Sequence, residues 1–289
     1  MSLKADQIRM EFKASDDIRD AGLTTPEDIV RYDDIVYGED PKWQSLDVYR
    51  PKAAEGKVLP VIVSVHGGGW VYGDKERYQF YCMNLAQRGF AVVNFSYRLA
   101  PESKYPAPLE DANAVFTWVL AHAQEYGFDK EHIFAVGDSA GGHLLGLYAN
   151  ICTNPDYAKE YAFQVPEGFA PTAIALNCGA YVIWRERDAE LMQDFLPERG
   201  TEREYGLIDV LAHITPDFPP TFFMTSNGDF LKMQAPGLAA KLLEQGVPFV
   251  YRCYGDKENE LQHVFHCNIR TEAARRCNDE ECNFFKSYI

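Results

Sequence analysis

Short, mainly apolar runs alternate along the chain with longer stretches of helical periodicity. The runs are typical of strands buried on both faces and span residues 61–65, 90–95, 133–136, 172–176, 221–224 and 249–251. Between them, Leu109, Ala112 and Phe116 recur at helical spacing, and two further helices are predicted to end near Gly89 and Gly246. Strands that alternate with helices pair in parallel through right-handed crossovers. The pattern therefore predicts a mostly parallel, doubly wound α/β sheet with helices on both faces.

Two segments interrupt this alternation. Residues 180–219 are rich in charged and aromatic side chains before the pattern resumes, and they predict a small cap inserted over the sheet. Residues 1–44 are strongly charged and predict a peripheral helix or arm. A length of 289 residues suits one domain of this class, so residues 1–289 are predicted to form a single unit that carries both segments.

Composition and charge exclude several classes of partner. Asp and Glu outnumber Lys and Arg by 43 to 28, and a net charge of -15 opposes binding to nucleic acid or to an anionic membrane. The sequence offers no apolar stretch of membrane-spanning length and no secretion signal, which predicts a cytoplasmic protein. Seven scattered cysteines predict reduced thiols, and the pair Cys277 and Cys282 lacks the second pair that a zinc site needs.

Residues 137–142 carry the clearest chemical signal. They read Gly-Asp-Ser-Ala-Gly-Gly, and they follow the predicted strand 133–136 and precede a helical pattern at 143–150. This strand, turn and helix form the context of a nucleophile elbow, in which Ser139 occupies a strained turn and small neighbours let the chain pass closely. The motif therefore predicts Ser139 as a catalytic nucleophile.

Residues 66–70 are predicted to supply the hydrogen-bond donors that such a nucleophile requires. Attack on a carbonyl creates a negatively charged oxygen, which requires hydrogen-bond donors that are already in place. These residues read His-Gly-Gly-Gly-Trp and follow the predicted strand 61–65. Glycines let backbone amides turn toward a substrate, so we predict an oxyanion hole formed by the N–H groups of Gly68, Gly69 and Ala140.

The two motifs together resemble those of the hormone-sensitive-lipase-like esterases, a branch of the α/β-hydrolases. Residues 97–102 (Tyr-Arg-Leu-Ala-Pro-Glu) and 105–111 (Tyr-Pro-Ala-Pro-Leu-Glu-Asp) resemble the segment between the same motifs in that family. The resemblance implies an α/β-hydrolase fold and a serine carboxylic-ester hydrolase that needs no cofactor and no metal. Trp70 is expected to lie near the substrate, and apolar residues of the inserted segment such as Ile183, Met192 and Phe195 are expected to line an acyl pocket beside it.

The general base should be a histidine from late in the chain, since the order in this fold is serine, acid, histidine. His263 and His266 are both candidates. The family's His-Gly-Phe resembles residues 263–265, which favours His263, although Val264 stands where the family has glycine. His66 and His143 are interpreted as a loop brace and a packed helix residue.

The acid should follow the strand before the last crossover, where a carboxylate can fix the imidazole tautomer. Asp229 follows the predicted strand 221–224 and is favoured, with Phe230 where family members commonly carry proline. Asp256, Glu258 and Glu260 are alternatives in the loop before His263.

These residues predict hydrolysis of small, short-chain esters through an acyl-enzyme. The alternatives that keep the same chemistry are an arylformamidase or other amidase-type hydrolase and a carbohydrate acetyl or feruloyl esterase. A non-catalytic binding protein on the same fold is a further alternative, which the presence of both Ser139 and His263 disfavours. The predicted partner is a small-molecule ester, and a homodimer is left open.

Overall fold

The computed structural model describes residues 2–289. Within this range, eight strands form a single sheet. They are β1 (Ile29–Val36), β2 (Ser45–Pro51), β3 (Leu59–Val65), β4 (Ala91–Phe95), β5 (Phe128–Asp138), β6 (Ala173–Asn177), β7 (Thr221–Ser226) and β8 (Phe249–Tyr254). The strand order is β1-β2-β4-β3-β5-β6-β7-β8, in which β1 to β2 and β2 to β4 are antiparallel and the other pairs are parallel.

Helices cover the sheet. They are α1 (Leu3–Asp20), α2 (Lys75–Ala86), α3 (Ala107–Ala121), α4 (Ala123–Tyr126), α5 (Ala140–Thr153), α6 (Pro155–Ala158), α7 (Arg185–Phe195), α8 (Glu202–Leu207), α9 (Val210–His213), α10 (Ala235–Gln245) and α11 (Glu272–Lys286). Two clusters of buried apolar side chains pack against the sheet, as expected of one sheet with two covered faces. Among residues 2–289, no helix combines the length and the apolar character that crossing a membrane requires.

The six predicted strands are present as β3 to β8, which confirms the doubly wound α/β architecture. Strands β1 and β2 were not predicted; β1 lies within the predicted arm 1–44, and β2 begins directly after it. In β2, charged residues are buried beside apolar ones: Asp47 is 1% exposed and bonds to Lys75, while Arg50 donates to backbone carbonyls such as that of Gly127. Buried charged residues interrupt the apolar pattern, so the pattern does not identify this segment as a strand.

The parallel strands all end at one edge of the sheet. The segments that follow β3, β5 and β7 begin with His66, Ser139 and Asn227. Ligand sites in doubly wound sheets lie at the carboxyl ends of the strands, so the predicted functional residues share the expected edge. Residues 180–219 lie between β6 and β7 and form α7, α8 and α9.

A buried carboxylic acid lies behind this edge, on α11. Glu281 is 0% exposed and accepts hydrogen bonds from Tyr81 Oη and Asn177 Nδ2. Burial raises the pKa of Glu281 to about 7, although both hydrogen bonds favour its ionised form. The folded protein therefore binds a proton here that the unfolded chain releases at lower pH, and stability falls as the pH rises from about 4.5 to 7.

Glu281→Gln is accordingly expected to raise the free energy of unfolding at pH 8 by on the order of 3 kcal/mol, with a much smaller gain at pH 5. Urea unfolding at the two pH values measures the difference. Glu280→Gln is the control, because hydrogen bonds from Arg276 and Arg252 outweigh burial and lower the pKa of Glu280. Equal stabilities of Glu281→Gln and the unsubstituted protein at pH 8 would contradict the expectation.

Candidate active site

Ser139 lies at the sharp turn between β5 and α5. Its backbone has φ 52° and ψ -119°, a strained combination for a residue with a side chain. The turn is held by a hydrogen bond of 2.9 Å from Ser139 N–H to the Asn177 carbonyl. A Cβ atom on Gly141 would lie 2.1 Å from the Val65 carbonyl oxygen, so glycine alone fits there. The structure thus contains the strand, turn and helix that the motif predicts.

His66 orients the glycine loop that follows β3. Its Nδ1 lies 2.8 Å from the Gly67 carbonyl oxygen and must carry the proton, because a carbonyl can only accept. Burial lowers the pKa of His66 to about 4, so the ring is neutral near pH 7. In a trans peptide the C=O and the following N–H point in opposite directions, so this bond turns the Gly68 N–H away from His66.

Three backbone donors are available beside Ser139. Within residues 2–289, the N–H groups of Gly68 and Gly69 donate to no protein acceptor. Gly68 has φ 126°, a conformation that favours glycine. Ala140 is the first residue of α5, where N–H groups lack an intrahelical acceptor and the helix dipole favours negative charge. These are the groups that the sequence predicts for an oxyanion hole.

His263 and Asp229 form a direct pair. His263 Nδ1 lies 2.7 Å from Asp229 Oδ1, and Asp229 also accepts from Thr225 Oγ1 at 2.7 Å and from Leu231 N–H at 2.8 Å. Burial raises the pKa of Asp229, but the hydrogen bonds from His263 and Thr225 outweigh it, and the net pKa lies below the usual range. An ionised carboxylate fixes the proton on Nδ1 and leaves Nε2 free to accept one.

The alternative residues lie elsewhere. His266 is fully buried, its Nε2 lies 3.6 Å from Cys267 Sγ, and burial lowers the pKa of His266 to about 3. Asp256, Glu258 and Glu260 are exposed, and Asp256 accepts from backbone N–H groups in its own loop. The geometry therefore favours His263 and Asp229 over their competitors.

Val264 stands where the family's His-Gly-Phe pattern has glycine. Its φ is 50°, in the left-handed region that glycine occupies without strain. A β-branched residue rarely adopts this conformation. The backbone conformation expected of glycine is therefore retained despite the substitution, and the turn still directs His263 toward Asp229.

Two cavities meet at Ser139, and Phe12 and Phe230 also line both. The "His263 cavity" has a volume of about 180 Å³, and its lining includes Phe12, Asp16, Arg19, Tyr72, Ser139 and His263. The "Trp70 cavity" has a volume of about 320 Å³, and its lining includes Ile8, Gly69, Trp70, Ala140, Leu191 and Leu231. Ser139 thus lies between a smaller cavity that contains His263 and a larger one that contains Trp70.

Helix α1 forms one wall of both cavities, and sequence reasoning missed this role. The sequence predicts a peripheral arm for residues 1–44, whereas the structure places α1 beside Ser139 and pairs β1 with the sheet. Met1, the first residue of that arm, lies outside the described residues. Polar contacts fasten the helix: Arg9 Nε donates to the Val71 carbonyl at 2.7 Å, and Asp16 accepts from Tyr72 at 2.9 Å.

Trp70 lines its cavity but is itself largely buried. Its Nε1 donates to His143 Nδ1 at 3.1 Å, and its ring stacks on Phe195 at a centroid distance of 5.4 Å. Ile183, Met192 and Phe195, which were expected to line an acyl pocket, are buried core residues that line neither cavity. Leu191, which precedes Met192 on α7, lines the Trp70 cavity instead. A helix presents neighbouring residues on different faces, so the sequence located the segment that lines the cavity but not its cavity-facing side.

Two groups of three side chains, all buried except the half-buried His263, bring potential metal-donor atoms close together. Asp138, His266 and Cys267 form one group and Cys178, Asp229 and His263 the other, with donor atoms within 4.8 Å of one another in each. In the second group, His263 and Asp229 are already joined by the hydrogen bond from Nδ1–H to the carboxylate. Cys277 and Cys282 are buried free thiols on α11.

The BD-FAE family profile matches residues 46–231, more than half of the chain. Esterase LipC of Mycobacterium tuberculosis is 31% identical over 80% of this chain and 57% of its own length. Versiconal hemiacetal acetate esterase of Dothistroma septosporum is 31% identical over 70% of this chain and 66% of its own. The chain therefore spans somewhat less than two thirds of the length of these curated relatives.

A solved structure extends the likeness to the whole fold. Inhibited esterase B from Lactobacillus rhamnosis superimposes with a TM-score of 0.91 at 25% identity, over 99% of this chain and 95% of that one. Its resemblance includes the region outside the family profile, such as α1 and α11. The profile match, the 31% identity to LipC and this superposition confirm the hormone-sensitive-lipase-like resemblance of the motifs. The chain belongs to the BD-FAE family of α/β-hydrolases.

Proposed function

We propose that this protein is a serine carboxylesterase that cleaves small, short-chain acyl esters. The observation that carries the proposal is that Ser139 and His263 line one cavity, where Asp229 holds the far nitrogen of His263. Beside them lie backbone donors with no protein acceptor among residues 2–289. We also propose that it acts in the cytoplasm on a small-molecule ester. Its net charge of -15 disfavours nucleic acid or anionic lipid as a partner.

In this mechanism, His263 Nε2 removes the proton from the Ser139 hydroxyl as the oxygen attacks the ester carbonyl. The N–H groups of Gly68, Gly69 and Ala140 bind the oxyanion of the tetrahedral intermediate. His263 then protonates the leaving alcohol, which departs and leaves an acyl-enzyme. Water, deprotonated by His263, attacks the acyl-enzyme and releases the acid, and the proton returns to Ser139.

The positions of the two cavities assign the two halves of the substrate. The leaving oxygen needs the proton of His263, so the alcohol belongs in the His263 cavity. The acyl chain then extends into the larger Trp70 cavity, whose lining includes Ile8, Leu191 and Leu231. Charged residues such as Lys4, Glu11 and Arg187 also line that cavity, which suits a short chain better than a long one.

We expect kcat/KM to peak for acyl groups of two to about six carbons and to fall for longer chains. Each methylene adds about 0.8 kcal/mol of burial until it meets the cavity wall. The measurement is kcat/KM for p-nitrophenyl acetate, butyrate, hexanoate, octanoate and palmitate. The name of versiconal hemiacetal acetate esterase and the tributyrin phosphonate bound to esterase B support a preference for short acyl groups.

A maximum at palmitate, or a jump in rate when the substrate becomes micellar, would contradict the proposed substrate class. An amidase-type hydrolase would prefer an aryl formamide measured beside the ester series. A carbohydrate or feruloyl esterase would prefer acetylated xylose or methyl ferulate. A binding protein without activity would turn over none of these substrates.

A further inference from the structure

A buried tyrosine outside both sequence motifs joins the two halves of the site. Tyr78 lies in the first turn of α2 and is 6% exposed. Its hydroxyl oxygen lies 2.7 Å from Asp138 Oδ2, and the Gly67 N–H donates to the same oxygen at 3.0 Å. Asp138 immediately precedes the nucleophile Ser139, and Gly67 immediately precedes the oxyanion donor Gly68.

The direction of these hydrogen bonds follows from the chemistry of the groups. The backbone N–H can only donate, and an ionised carboxylate can only accept, so the single hydroxyl proton of Tyr78 points to Asp138. Burial, together with the charge of Asp138, raises the pKa of Tyr78 well above its usual value, which keeps that proton in place. The chain Gly67 N–H to Tyr78 O–H to Asp138 is therefore polarised in one direction.

The surrounding packing leaves little room for either loop to shift independently. A Cβ atom on Gly67 would lie 2.9 Å from Asp138 Oδ2 and 3.0 Å from the Tyr78 hydroxyl. Tyr78 is carried by a helix whose buried face, including Tyr81, Cys82 and Leu85, packs in the core. A side chain fixed to a packed helix is a firmer reference point than a loop.

We propose that Tyr78 is a positioning residue, which sets the distance between the nucleophile and the oxyanion hole by linking Asp138 to Gly67. This inference rests on the proposed esterase function. An oxyanion donor acts only when it lies about 2.7–3.1 Å from the oxyanion, and a misplacement of about 1 Å can cost 100-fold in rate. Because Ser139 and Gly68 are each one residue from a linked group, loss of the link changes their separation directly.

Tyr78→Phe removes the hydroxyl while keeping the ring. We expect kcat for p-nitrophenyl butyrate to fall about tenfold to 100-fold. KM should change less than threefold, because the variant keeps the ring that lines the His263 cavity and so keeps most ground-state contacts of the substrate. The rate of Ser139 phosphonylation by a butyl phosphonate should fall by a similar factor, since the phosphoryl oxygen uses the same donors.

Tyr49→Phe is the matched control. Tyr49 is 0% exposed, donates to the buried Asp47 at 2.8 Å and accepts from Asn94 Nδ2 at 3.4 Å, but lines neither cavity. It should lose stability as Tyr78→Phe does and keep its kcat. Asp138→Ala, which removes the other end of the link, should reproduce the loss of Tyr78→Phe, whereas Asp138→Asn keeps an acceptor for the hydroxyl and should retain most turnover.

The outcomes separate this inference from the proposed function. An active unsubstituted protein and an equally active Tyr78→Phe would overturn the positioning role and leave the esterase intact. Equal falls in kcat for Tyr78→Phe and Tyr49→Phe would also overturn it, because they would reflect stability alone. If Tyr78→Phe does not fold, an unchanged kcat in Asp138→Ala overturns the inference. An unsubstituted protein that neither hydrolyses the esters nor reacts with the phosphonate would refute the esterase function, and the inference with it.

Discussion

Replacing Ser139 by alanine is expected to abolish ester turnover, with a fall in kcat of about a million-fold, the cost of losing the nucleophile in a well-studied serine hydrolase. Ser139 lies at the strained turn after β5, where close packing leaves no room for a side chain at Gly141. Its hydroxyl is the one that lines both cavities among the described residues. The measurement is kcat for p-nitrophenyl butyrate, together with circular dichroism to show that the fold is retained.

Ser287→Ala provides the control, because it makes the same chemical change on a serine that bonds only to the Phe284 carbonyl at the end of α11. It should leave kcat unchanged. An organophosphonate should label Ser139 in the unsubstituted protein, with the adduct located by mass spectrometry. Retention of even a tenth of the activity in Ser139→Ala, or an adduct elsewhere, would show that another residue is the nucleophile.

His263→Ala should cost about as much as the loss of the serine, because the two residues act as a unit in such a mechanism. Without Nε2 the serine proton has no acceptor and the leaving alcohol has no donor. The bond of 2.7 Å to Asp229 supports this role by fixing the proton on the other ring nitrogen. Steady-state kinetics with the butyrate ester over pH 6–9 measure the loss.

His266→Ala is the comparison, three residues further along the chain. His266 is fully buried against Tyr81, at a ring-centroid distance of 5.0 Å, so its removal should lower the unfolding temperature more than the turnover of the folded fraction. If His266→Ala abolished turnover and His263→Ala did not, the assignment of the base would be wrong.

The central fold was predictable because its strands are short apolar runs that need no information from elsewhere in the chain. Strand β2 was not, since its buried Asp47 is stabilised by Lys75, a residue about 30 positions away in sequence. Ion pairs of this kind depend on three-dimensional neighbours that no local pattern reveals.

The motifs likewise identified Ser139 and the glycine loop, because strand, turn and helix constrain those residue types locally. Helix α1 was assigned to a peripheral arm because charge dominates its composition. Ala5, Ile8 and Phe12 recur at helical spacing and were the available signal for a packed face. Tyr78 carries no motif at all, and its link to Gly67 and Asp138 emerges only when the two loops are brought together.

The attachment of α1 by polar contacts also bears on how substrate range changes during evolution or in the laboratory. Only Ala5 and Ile8 of this helix are buried, whereas Phe12, Ser15 and Asp16 face the His263 cavity. Substitutions at the cavity-facing positions leave the sheet, the nucleophile turn and the buried core unaltered. Asp16 must be kept, because it accepts the hydrogen bond from Tyr72 that fastens the helix. A small randomised library at Phe12 and Ser15 therefore samples new alcohol groups at little risk to folding.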